Sequence, residues 1–407
     1  MRLDGLVETQ AEPMRIPPAS LPRLGQHRVA AAAAFATQGG IFISLTTRLP
    51  TIQDRWHIST GMLSLLMLMM VLLAGVGSVL AETYAARLTS AVLLRIGLLL
   101  VAVGLLVITL ASAIGIFIAG MAIYGFALGT VDACTNMQAV ALEHAYRRPI
   151  LPSFYAAWTL GGLIGSGVAL ALGNVALQWT ATLAIVPLVA TLAPFLPRAG
   201  GATPAPKTDI PWRPIVLVGL AMVLFYMVDT ASTTWGPEYL KHVFTTPSQL
   251  VAIATFPYLL ASLVMRLAGD RIVERFGATR VVRVAAVASC VSLAVVVFAP
   301  TWPIAVLGFA LTGASASVIA PLSFSAAARI AGGDDLSADE RMTRTDAVIA
   351  RFNLFNYVGA LLGSVLTGAV GTSSLRIGFA VPLVLILGLI PLAAAFSWRP
   401  AVSQPGW

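Results

Sequence analysis

Apolar runs near the ~20 residues that a bilayer core requires recur about twelve times along this chain. They fall near residues 29–49, 59–81, 91–111, 115–141, 151–174, 177–197, 213–234, 248–268, 280–299, 302–328, 346–370 and 376–397. Hydrocarbon offers no hydrogen bonds, so backbone of that length must satisfy itself as helix. The expected fold class is an all-α membrane protein of about twelve transmembrane helices. Composition agrees, with 58% of 407 residues hydrophobic, 10% charged and a mean hydropathy of +0.88. So few charges could not cover a soluble domain of this size. The 35 glycines and 24 prolines suit packed and kinked membrane helices.

The runs also repeat. Thr46-Thr47-Arg48-Leu49-Pro50 returns as Thr233-Thr234-Trp235-Gly236-Pro237, an offset of 187. Glu82, Arg87 and Arg95 return as Asp270, Arg275 and Arg283, an offset of 188. Gly125-Phe-Ala-Leu128 returns as Gly308-Phe-Ala-Leu311, and Gly161-Gly-Leu-Ile-Gly-Ser166 as Gly359-Ala-Leu-Leu-Gly-Ser364, with Phe154 matching Phe352. Four landmarks keep their order at offsets from 183 to 198, a drift small enough for loop insertions, and imply two six-helix pseudo-repeats, an arrangement that places a solute site between like halves. The expected organisation is a cytoplasmic tail at 1–28, a bundle at 29–197, a proline-rich cytoplasmic linker at 198–212, a bundle at 213–398 and a tail at 399–407.

Basic residues orient the spans. With an even number of spans and the N-terminus inside, 21 of 25 basic residues face the cytoplasm, and only Arg48, Arg55, Lys241 and Arg376 fall outside. The net charge of +8 is then a topology signature, and no soluble face gathers it for nucleic acid. This places a multi-pass protein in the cytoplasmic membrane with both termini cytoplasmic. Its expected partners are a small-molecule solute, protons and the bilayer, and it is expected to be a monomer. Cys134 and Cys290 sit in apolar runs, and His27, His57, His144 and His242 lack metal-ligand spacing. Gly201 to Thr208 has a phosphate-loop outline, but Pro206 replaces its second glycine and removes an amide. No cofactor is expected. No cluster of acids or histidines makes an enzyme; the acids of Asp334 to Glu340 resemble a solvated linker.

Inside the spans, polar side chains are expensive and need a cavity or a partner. Asp132 and Asn136 lie one turn apart on span four, with Glu143 two turns later. Asp229 lies toward the outer end of span seven, near Tyr226 and Trp235, with Arg48 the repeat counterpart of Trp235. Gln38 is on span one. Asn353, Asn356 and Tyr357 are on span eleven, where the repeat matches Asn353 to Tyr155 and Asn356 to Trp158. Asp132, Asn136, Gln38, Tyr155, Trp158, Asp229, Asn353 and Asn356 are therefore the candidate coupling and solute residues. Each also has a bland role available, as an interhelical hydrogen bond or an interfacial group. Gly161, Gly165, Gly359 and Gly363 read as packing sites.

Arg266-Leu-Ala-Gly-Asp-Arg-Ile-Val-Glu-Arg-Phe-Gly-Ala-Thr-Arg280 resembles the inter-helix signature of the major facilitator superfamily. The first-half version, Glu82 to Thr89, keeps an acid and Arg87. The resemblance implies a cytoplasmic gate built from Arg87, Arg266, Asp270, Arg271, Glu274, Arg275 and Arg280; anchoring of helix ends is the other reading. Asp132-x-x-x-Asn136, with Phe154-x-x-x-Trp158-x-x-Gly161-Gly162, is similar to the fucose-permease branch, in which a fourth-span acid takes part in proton-coupled uptake. The branch's first-span acid has no counterpart here, where Thr37 and Gln38 stand. The expected function is secondary active transport of a small polar solute by alternating access, coupled to protons. An efflux antiporter for an amphipathic compound is the alternative mechanism, although the antiporter glycine-proline signature is absent from Gly161 to Gly167. A non-transporting scaffold or a membrane enzyme is the alternative class.

Overall fold

A computed structural model describes residues 21–146, 150–172, 177–197, 211–247, 250–332, 348, 352 and 354–397. Among these, ten helices are long and apolar enough to cross a membrane. Span one is Leu21–Thr46, two Thr60–Leu88, three Ser90–Leu110, four Ile114–Tyr146 and five Leu151–Leu172. Span seven is Trp212–Phe244, eight Thr255–Phe276 and nine Ala278–Phe298; span ten covers Trp302–Ala331 and span twelve Leu375–Ser397. Two shorter apolar stretches, Leu177–Ala190 and Leu354–Val370, occupy positions six and eleven. The chain is an all-α membrane protein with twelve apolar segments in the order expected.

Span one begins earlier than expected. Leu21 to Arg28, assigned to a loose tail, are helical, with Pro22 in the first turn where a missing N–H costs nothing. A short helix, Leu49–Trp56, follows, with Pro50 in its own first turn. Arg48 is buried at that junction, 8% exposed. Span six opens as a tight 3₁₀ stretch, Leu177–Ala184, and span twelve is broken by a similar one, Ile386–Gly388, after Pro382. Pro187 and Pro382 each remove an amide from the local ladder.

The halves are built alike down to their turns. The links from span two to three and from eight to nine each turn on one residue with positive φ, Thr89 at 65° and Gly277 at 78°, 188 positions apart. Glycine takes that conformation freely, whereas Thr89 holds it against its Cβ. Span four packs on two and three, as ten packs on eight and nine. Span five packs on one, as eleven packs on seven. A Cβ on Gly161 would lie 1.9 Å from the Ala36 carbonyl of span one, and a Cβ on Gly363 2.3 Å from the Met227 carbonyl of span seven. Both backbones therefore meet where only glycine fits. Between halves, span five packs on eight and span eleven on two.

Arginines tie down helix ends, where free carbonyls attract cations. Arg95 donates to the Thr191 and Ala193 carbonyls at 3.0 Å, and Arg329 to that of Phe396 at 2.6 Å. At the opposite end Arg55 holds Thr109 and Ala111, at 3.0 and 2.6 Å, and Arg376 holds Val297 at 2.8 Å. The first end, rich in arginine, is called the basic end below.

Candidate functional site

Asp132 stands within span four where the halves meet. Its carboxyl is held from both sides. Gln38 Nε2 of span one donates to Oδ1 at 3.3 Å, and the Tyr357 hydroxyl of span eleven donates to Oδ2. Tyr357 also reaches Ser78 Oγ of span two at 3.3 Å. No described cation forms an ion pair with Asp132. One turn on, Asn136 Nδ2 donates to the Asp132 carbonyl at 2.9 Å, and its Oδ1 accepts from the Tyr155 hydroxyl of span five at 2.9 Å. The Tyr155 ring lies against Phe35 and Phe324, 5.7 and 5.9 Å between centroids. Trp158 packs on Phe42, 6.3 Å between rings, and its carbonyl lies where a Cβ on Gly39 would sit.

Asp229 faces Asp132's neighbourhood from the second half. It lies near the middle of the 33-residue span seven, a correction to the outer position expected from hydropathy. Interfacial water therefore does not explain it. The Tyr258 hydroxyl of span eight donates to its Oδ1 at 2.7 Å. Tyr226, one turn before Asp229, lies within electrostatic reach of both acids. Asp132, Asn136, Tyr155, Tyr226 and Asp229 are only partly buried, so space remains among them.

Arg266 is the second correction. It was grouped with the gate, but it lies ten residues before the end of its helix, about 15 Å inward at 1.5 Å per residue. There Nη1 donates to Thr159 Oγ1 of span five at 2.7 Å, joining the halves. Asp229, Tyr155, Tyr226 and Tyr258 are within its electrostatic reach. The offset of 188 pairs Arg266 with Ser78, so both halves place their counterpart residue at the central cluster.

The remaining gate residues stay at the basic end. Arg87, Arg271, Glu274, Arg275 and Arg280 are exposed, and Arg275 and Arg280 stack on the Phe276 ring at 5.4 and 6.0 Å. Asn356 is partly buried on span eleven beside Tyr357. Asn353 and the side chain of Asp270 lie outside the described residues. Glu143 leaves the cluster: its Oε2 accepts from the Ile150 and Leu151 amides at 2.7 and 2.8 Å and caps span five.

Tyr258, Ser78 and Thr159 gave no sequence signal. Single hydroxyls in apolar runs are common and their direction is unreadable. Arg266 had one, since a cation whose repeat counterpart is Ser78 breaks the match between the two halves.

A family model of the Major Facilitator Superfamily matches residues 218–406. An MFS-type transporter of Yersinia pestis is 24% identical over 339 residues, 80% of this chain and 85% of that one. The structure of the nucleoside transporter NupG superposes with a TM-score of 0.62 at 16% identity, over 92% of this chain and 98% of that one. The E. coli fucose:proton symporter FucP superposes with a TM-score of 0.59 at 16% identity, over 91% and 98%. At such identity these two neighbours share the fold.

Proposed function

We propose, from the premise that this chain belongs to the major facilitator superfamily and is a membrane transporter rather than an enzyme, that it moves a small polar solute by alternating access coupled to protons. The basic end faces the cytoplasm in this reading, both termini lie inside, and the membrane is the cytoplasmic one. The halves are the bundles 29–197 and 213–398, joined by the 198–212 linker.

The observation that carries the reading is the carboxyl of Asp132, bound by Gln38 of its own half and Tyr357 of the other. An ionised carboxyl only accepts hydrogen bonds, so it can take both donors at once. A protonated one can also donate, and the Tyr357 hydroxyl can then accept from it and turn its own proton to Ser78 Oγ. Proton binding thus changes a contact between halves, which is where alternating access needs it. The fold shared with a fucose:proton symporter supports the coupling ion but not a sugar.

The test is metabolite profiling of cells that overproduce the chain, carry Asp132→Asn, or lack it. The expected result is a solute whose inside-to-outside ratio follows the pH gradient only with the unaltered chain. Asp132→Asn keeps the volume of the protonated form, so it should flatten that dependence and leave labelled-solute exchange intact. Asp132→Ala removes the acceptor of Gln38 Nε2 and the link from Tyr357 to span four, and should impair both. An unchanged pH profile in Asp132→Asn moves the coupling role elsewhere, with Asp229 next.

A further inference from the structure

We propose that Arg266 anchors a carboxylate on the transported solute, so that the substrate class is small organic acids. The inference rests on the transport reading above and adds the charge of the solute.

A guanidinium carries five N–H donors and is never neutral in a protein. Within a bilayer such a group is costly, and it persists where it serves a partner or a passage. The protein supplies Arg266 with little. One donor, on Nη1, meets the neutral Thr159 hydroxyl. The Nε is buried and has no partner. Asp229 is within electrostatic reach of Arg266 without forming an ion pair among the described residues, and its Oδ1 is already engaged by Tyr258. Buried N–H groups of cations are ordinarily satisfied, so the unpaired Nε marks an acceptor that is missing.

A carboxylate is the acceptor that fits. Its two oxygens match the fork of a guanidinium, and the paired bond is charge-assisted. Neutral hydroxyls would satisfy one N–H and leave the charge uncompensated. Tyr155 and Tyr226 are both within electrostatic reach of Arg266, so phenol groups stand near the place where the acid would bind. Charge balance then ties the acid to Asp132 and Asp229. The solute adds one negative charge to a cluster of Asp132, Asp229 and Arg266, with Glu82 within electrostatic reach of Asp132, and one proton on a carboxylate restores the sum. The anion and the proton are therefore expected to travel together.

The position makes Arg266 responsive to the state of the carrier. Its hydrogen-bond partner among the described residues, Thr159, belongs to the other half, so separating the halves would free that donor.

The experiment profiles cells producing the full chain, Arg266→Gln, Arg266→Lys or no chain, and measures the purified proteins by thermal melting. Solutes whose distribution depends on the chain should carry a carboxylate. Arg266→Gln should lower their accumulation at least tenfold, and Arg266→Lys, which keeps the charge and loses the fork, should retain part of it. The identified acid should raise the melting temperature of the unaltered chain, its amide should not, and neither should stabilise Arg266→Gln. A chain-dependent solute that is neutral or cationic overturns this assignment and leaves the transport reading standing. Full accumulation by Arg266→Gln overturns it too. A profile with no chain-dependent solute fails the transport reading, and this inference with it. If Arg266→Gln does not fold, the acid-against-amide comparison on the unaltered chain decides.

Discussion

The two ends of this molecule are built from similar helices, yet among the described residues one carries several polar fastenings between the halves and the other few. At the end away from the arginines, Lys241 of span seven pairs with Asp54 of the short helix and also donates to the Pro50 carbonyl at 3.0 Å. His242 and Glu238 form an ion pair of 2.9 Å beside them. Ser166 Oγ of span five reaches the Ala252 carbonyl at 3.3 Å, and Gly368 of span eleven sits tightly against Ser64 of span two. In mid-membrane the halves still meet, through Tyr357 on Asp132 and Arg266 on Thr159. Toward the basic end the named contacts thin to the Tyr155–Phe324 ring pair, and Arg271, Glu274 and Arg275 stand exposed without an ion pair to any described residue. In the proposed orientation this is the arrangement closed to the outside. The fastening combines polar bonds with close apolar contacts, such as Leu259 of span eight against Gly162 of span five.

Propping the fastened end is expected to have the largest effect. A Cβ at Gly368 would lie 2.0 Å from Ser64 Oγ and 2.2 Å from the Trp235 ring, so Gly368→Val cannot keep the closure without displacing both. Overpacking of this kind costs ~1–3 kcal/mol, roughly a five- to 150-fold shift between arrangements. Ser232, buried on span seven, is the reporter. A Ser232→Cys chain cleared of Cys134 and Cys290 should react slowly with a membrane-impermeant maleimide from outside, and Gly368→Val should speed it. Equal rates would show that this end is not the barrier.

A smaller effect belongs to the Asp54–Lys241 pair. Asp54 keeps 60% of its side-chain exposure, so screening limits the pair to about 1 kcal/mol or less. Lys241→Gln should raise the same labelling rate by up to about fivefold. Exchanging the charges, Asp54→Lys with Lys241→Asp, should return it toward the starting value. A swap that behaves like the single variant would assign Lys241 to the Pro50 carbonyl instead.

The smallest effect in this arrangement is expected at the basic end. Glu274 is exposed, so Glu274→Gln should leave thermal stability unchanged. If Arg271, Glu274 and Arg275 latch only when the basic end closes, the substitution should nonetheless lower outside labelling of Ser232→Cys, because it weakens the opposite arrangement. Labelling that does not move would leave these residues as anchors of the helix end.

Much of the architecture was readable before the structure. Span length, the repeat and the arginine bias all follow from the cost of placing polar groups in hydrocarbon, and that cost acts on each segment separately. The same cost singled out Asp132, Asn136 and Asp229, and Gln38, Asn136 and Tyr155 do meet in one cluster. The reading of Arg266 failed because a motif assigns residues by neighbours in sequence. A helix carries its start and end into different environments, here about 15 Å apart over ten residues. Glu143, two turns beyond Asn136, shows a related limit: an acid near a helix end can serve the next helix's amides.

By itself, then, the chain determined its segments, their order and their duplication, since hydropathy and spacing are local and a bilayer filters them one span at a time. Only the tertiary structure decided which hydroxyl answers which acid. Tyr357 is separated from Asp132 by 225 residues and Arg266 from Thr159 by 107, and nothing in either segment names its partner. Those pairings arise from the rotation of each helix about its axis, which the close glycine contacts of spans five and eleven set, and from how the two halves close on one another.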